Sequence, residues 1–98
     1  MSQLPLRFVH VGFHPTGPVP VKKIEGVFSS ATDWLRYDPH CWIMYTSTAL
    51  SVWRDRLHKV PEIMAGEFFL CEFDAHNASA FDGYMDQSTW DWINKRLT

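Results

Sequence analysis

Ninety-eight residues, 46% of them apolar and including seven Phe, five Trp and three Tyr, suffice for one hydrophobic core and exclude a disordered chain. A formal net charge of −2 supplies no strong field for nucleic acid or an anionic membrane. No apolar run approaches the ~20 residues that span a bilayer. The opening MSQLPLRF has neither a basic segment before a long apolar stretch nor a cleavage site, so a cytoplasmic protein is the expectation.

Leu6 to Phe13 is dense in β-branched and aromatic residues and stops at HPTGPVP, which reads as a first strand followed by a loop. Val21, Ile24, Val27, Phe28 and Ala31 then repeat at helical spacing after Pro20, predicting a helix over 21–31. The same apolar pattern is open to extension through Trp34 and Leu35. Pro39 disfavours helix at Asp38 and places a turn between two extended pieces. Cys41 to Thr46 is a strand with apolar residues on both sides, hence a central one. Leu50, Trp53, Leu57 and Val60 mark a helix over 50–60, with Ser47, Thr48 and Ser51 as candidate N-caps. Pro61 and Gly66 bracket a connection, and EFFLCEFD, residues 67–74, is another strand.

The last quarter changes character. Residues 75–98 read as an irregular arm with Phe81 and Tyr84 as aromatic anchors, ending in a short helix. Ser88 is the expected N-cap there, with Asp91 at capping-box spacing, and Trp90, Ile93 and Leu97 form its apolar face. Cys41 and Cys71 lie within apolar runs and read as two buried thiols, a cross-strand disulfide being the alternative in an exported chain.

Two interleaved strand-helix-strand units with right-handed crossovers give an antiparallel sheet carrying both helices on one face. The expected fold is therefore α+β, a single ferredoxin-like sandwich over 1–98 with a short additional C-terminal helix. A sheet that is apolar on both sides needs its second face covered as well. The C-terminal arm or a second subunit, through a sheet-mediated homodimer, would do this.

Candidate chemistry is sparse. His10 and His14 share the spacing of zinc-protease histidines, but on a strand they lie about 13 Å apart at ~3.3 Å per residue, too far for one ion. The Glu that accompanies the helical motif is missing, since Val11 follows His10. No metal or cofactor is expected from them, and they remain candidate binding residues on one sheet face. Asp38-Pro39-His40 and Asp74-Ala75-His76 both have the form Asp-x-His beside a strand end. If their strands were neighbours, Asp38, His40, Asp74 and His76 would converge into a polar cluster; turn chemistry is the simpler reading. No Gly-rich phosphate loop and no paired-cysteine zinc pattern occurs. Arg7, Lys22, Lys23, Arg54, Arg56, Lys59, Lys95 and Arg96 are scattered among acids, which fits solvated helix surfaces better than a nucleic-acid patch. Arg54 and Arg56 are kept as binding candidates. The Trp residues at 34, 42, 53, 90 and 92 fit core positions, except that Trp92 lies off the Trp90–Ile93 face and is expected at an interface.

The run WLRYDPHCWIMYTSTALSVWRDRL, followed by EFFLCEFD and a late WDWI, resembles the SinR-like proteins related to the small, non-integrase subunit of the CRISPR adaptation complex. The resemblance covers residues 33–74 best. It implies a ferredoxin-like fold that dimerises through its sheets, an association with phage or mobile elements, and in some members a metal-dependent nuclease with an Asp at the end of the first strand. Here that place reads Gly12-Phe13-His14, and an imidazole does not replace the carboxylate that holds Mg²⁺. The expectation is a non-enzymatic protein-interaction module. A SinR-like nucleic-acid binder or nuclease, and a small hydrolase or metal protein using the Asp-x-His groups, are the alternatives.

Overall fold

The computed structural model describes residues 4–76 and 82–96. Its elements run β1 (Arg7–His14), α1 (Val21–Phe28), β2 (Asp33–Asp38), β3 (Cys41–Thr46), α2 (Leu50–His58), α3 (Pro61–Met64), β4 (Glu67–Phe73) and α4 (Gln87–Asn94). The four strands form one antiparallel sheet in the order β2-β3-β1-β4. The protein is thus α+β, with a single antiparallel sheet and several helices.

Alternation along β1 divides the molecule. Val9, Val11 and Phe13 point to one face, where they pack with Trp42 and Met44 of β3, Ile24 and Phe28 of α1, and Trp53 and Leu57 of α2. Both long helices therefore lie on the same side. Phe28 sits edge-on to Trp42 and Trp53, at centroid distances of 6.0 and 6.2 Å, the T-shaped arrangement that aromatic quadrupoles favour. The Trp53 indole donates to Thr46 Oγ1 at 3.3 Å, so burying its N–H leaves no orphan. Among the described residues only Trp42 Nε1 is buried without a partner.

The even positions of β1 face the other way. Phe8 joins Ile43, Ala75 and Ile93 in a second core, with Tyr37, Tyr45, Phe73, Met85, Trp90 and Trp92 against it. Much of the second face is therefore covered from within the chain, by the arm and α4. The need for a second subunit on this face is correspondingly reduced. Asp33 ties the helix down: its Oδ2 accepts from Trp92 Nε1 at 3.2 Å and pairs with Arg96, whose guanidinium also lies over the rings of Trp92 and Tyr45.

Several boundaries differ from the sequence expectation. α1 stops at Phe28, because Ser29 and Ser30 turn their hydroxyls back onto the carbonyls of Gly26 and Val27. Trp34 and Leu35 fall on β2 rather than on a longer helix. α2 begins after Ala49 with no side-chain cap. α4 is capped by Asp86, which accepts from Ser88 N, so Ser88 lies inside the helix, and Asp91 accepts from Gln87 Nε2 instead of closing a capping box. The one-turn α3 fills the expected connection, Pro61 serving as its first residue. Gly66 follows it because the chain passes tightly there: a Cβ would stand 2.5 Å from the His14 carbonyl oxygen. Phe81 and Leu97 lie outside the described residues.

The thiols and one anchor are also corrected. Cys41 is half-buried and Cys71 exposed, both free, because β4 is an edge strand whose arm-side face is left open. Cys41 is paired with Gly12 and Cys71 with His10, on opposite sides of β1, which excludes the cross-strand disulfide. Tyr84 is fully exposed and anchors nothing.

If α4 covers a core rather than decorating a surface, Ile93→Ala will cost about 2–5 kcal/mol of unfolding free energy in urea melts, whereas Tyr84→Ala will stay within about 0.5 kcal/mol of the parent.

Candidate functional site

The arm and the sheet enclose a groove of about 600 Å³ on the face away from α1 and α2. Its floor comes from three strands. The register sets Ile43, His10 and Cys71 side by side across β3, β1 and β4, and Cys41, Gly12 and Phe69 in the next row. Its wall comes from the arm and α4, through Gly83, Tyr84, Met85, Trp90 and Ile93.

Gly12 stands next to His10 on this face. The His10 ring leans along β1 toward the glycine, its Cε1 lying 3.7 Å from where a Cβ would be. The imidazole Nε2 hydrogen-bonds the hydroxyl of Tyr37, which reaches in from β2, and the rings are 5.6 Å apart. Cys41 of β3 is the third titratable group close by.

All three are held uncharged at neutral pH, chiefly by loss of water. Burial lowers the His10 pKa below its ordinary 6.5. Burial also pushes the Tyr37 phenol up to about 12, helped by the neighbouring Cys41 and Asp38. Burial raises the Cys41 thiol, the neighbouring Tyr37 hydroxyl acting in the opposite direction.

The residues singled out in the sequence are dispersed. His10 is in the groove, while His14 is exposed at the far end of β1 opposite Glu67. The polar cluster does not form. Asp38 ends β2 where Cys41 meets Gly12, and Asp74 follows β4 where Phe73 meets Phe8, so the two motifs lie at opposite ends of the sheet, about 13 Å apart along β1. Each is a turn: Asp38 Oδ1 accepts from His40 N at 3.0 Å and Asp74 Oδ1 from His76 N at 2.9 Å. Arg56 lies over Trp53 and donates to Ser30, and Arg54 is exposed beside Asp55. Trp92 is at an interface within the chain, between α4 and β2. Among the described residues no three His, Cys, Asp or Glu side chains are grouped to hold a metal ion. No helix among them is long and apolar enough to cross a membrane.

Sequence reading missed Tyr37, Cys41 and the groove itself. One signal was present: a lone glycine in an otherwise bulky strand marks a place where something approaches closely. In comparisons with known proteins, no family model, curated protein or solved structure matches the chain.

The desolvated imidazole has a pH signature. An unfolded chain takes up the His10 proton near 6.5, whereas the folded site resists it. Stability is therefore lost as pH falls through 6.5 toward the lower folded value, and is untouched at higher pH, where both states carry the neutral ring. A proton NMR titration will place the His10 midpoint below 6.5. His10→Phe will remove this part of the acid sensitivity from thermal melts, and a midpoint at or above 6.5 would show that the ring is not desolvated.

Proposed function

We propose that the protein is a small non-enzymatic interaction module, ferredoxin-like in plan, that takes an extended apolar segment of a partner protein as an added strand along β4. The observation behind this reading is the character of that edge. No strand among the described residues pairs with the outer side of β4. Edge strands are commonly guarded by Lys, Pro or a bulge. β2, the other edge, has such protection: Asp33, Arg36 and Asp38 lie on it, and its register shifts between Arg36 and Asp38. β4 has Glu67 and Glu72 near its ends and Phe68, Phe69, Leu70 and Cys71 between them. Phe69 is 67% exposed.

A groove flanks the edge on each face. The arm-side groove reaches Phe69, Cys71 and Phe73. A helix-side groove of about 510 Å³ is lined by Phe68, Leu70, Leu50, His58 and Arg54, which gives Arg54 its place in the reading. An added strand is held by main-chain hydrogen bonds and selected by pockets for alternate side chains. The partner segment is accordingly apolar at alternate positions.

The likeness to SinR-like proteins supports the scaffold alone, since no acid stands at Gly12-Phe13-His14. The nucleic-acid alternative has less support, because Arg7, Lys23, Arg54 and Arg96 each face a carboxylate. The hydrolase alternative loses its site with the separation of the two Asp-x-His turns.

Twelve-residue peptides selected on the full chain from a displayed random library will show apolar residues at alternate positions. They will protect the amides of residues 67–73 from hydrogen exchange and lose at least about tenfold in affinity on Phe69→Lys, a guard residue placed on the edge. Peptides indifferent to Phe69→Lys, or protecting β2 instead, would refute strand addition at β4.

A further inference from the structure

We infer that the arm-face groove is a binding site for a small, uncharged, planar aromatic molecule that carries one hydrogen-bond acceptor and takes a proton-donating contact from His10. This goes beyond strand addition at β4 and stands or falls separately from it.

Three observations select that chemistry. The first is shape and lining. The groove holds about 600 Å³ and is walled by large apolar groups, among them Phe69, Met85, Trp90 and Ile93, with a few polar groups set in the floor. That combination is typical of small-molecule sites. Aromatic walls favour a flat aromatic guest through offset and edge contacts.

The second is charge. Among the described residues no Lys or Arg lines the groove, and Asp82 is the one carboxylate there. An anion would have to shed its water with no cation to receive it, at a cost of several kcal/mol. Phosphates, nucleotides and carboxylates are therefore excluded, and neutral molecules are preferred.

The third is the direction of the Tyr37–His10 hydrogen bond. Both groups bring a single proton when neutral. The imidazole nitrogen is the better acceptor and the phenol the better donor. Tyr37 therefore donates to His10 Nε2. A neutral imidazole that accepts at Nε2 carries its proton at Nδ1, and Nδ1 has no hydrogen-bond partner among the described residues. His10 thus keeps one N–H to offer an acceptor.

The test uses the full chain with 2-acetonaphthone, a neutral aromatic ketone that can accept but not donate, and 2-naphthoate, its anionic counterpart. In NMR titrations, 2-acetonaphthone will shift the Trp90 indole and His10 ring signals saturably below about 1 mM, and 2-naphthoate will bind about tenfold more weakly or worse. His10→Phe will weaken the ketone about tenfold, the scale of one hydrogen bond. Tyr37→Phe, which conserves volume and only frees the tautomer, will weaken it severalfold. The inference is overturned by equal or tighter binding of 2-naphthoate. It is also overturned by shifts confined to the α1–α2 side, or by a ketone affinity unchanged in both His10→Phe and Tyr37→Phe.

Discussion

A sheet whose two central strands are apolar on both faces must be covered twice, and this requirement organises the whole chain. β1 and β3 place Val9, Val11, Phe13, Trp42 and Met44 on one side and Phe8, Ile43 and Tyr45 on the other. The helices α1 and α2 satisfy the first side with a dense aromatic cluster. The second side has only the arm and one short helix. Burying large apolar side chains stabilises by roughly 1.5–3 kcal/mol each, so a chain that left Phe8 and Ile43 open would forfeit much of its marginal stability. The terminal helix is a structural necessity before it is anything else.

What the sequence revealed depended on the range of the signal. β3 was legible residue for residue because Pro39 before it and the Ser-Thr run after it are local punctuation, and the short continuous apolar run between them suits a strand buried on both faces. The antiparallel sheet with both helices on one side followed from crossover handedness rather than from any single residue. Helix ends were less legible. Ser29, Ser30 and Ser88 all have side chains that compete with the helical backbone, and which end they cap is decided by neighbours that spacing does not reveal.

The groove was illegible for another reason. His10 and Tyr37 are 27 residues apart and meet because β3 separates their strands by the right amount. No local pattern encodes that meeting. The Asp-x-His pairs failed in the opposite sense: each is a genuine local motif, and locality is all there is to it, because each carboxylate is used up by the backbone N–H two residues on. Cys71 misled because an apolar run signals burial only for interior strands, and edge position is a property of the assembled sheet.

The asymmetry of the second face explains why a groove exists at all. Asp33 holds α4 from the β2 side, receiving Trp92 and Arg96, while Trp92 meets Phe8 edge-on at 5.8 Å and Ile93 is only 1% exposed. The helix is therefore fastened over β2, β3 and β1, and eight residues do not reach further. β4 receives less of this cover, and Phe69 and Cys71 stay exposed there. Covering one margin firmly leaves the other open, and the groove runs from the His10–Tyr37 pair out to that open margin at Phe69 and Cys71.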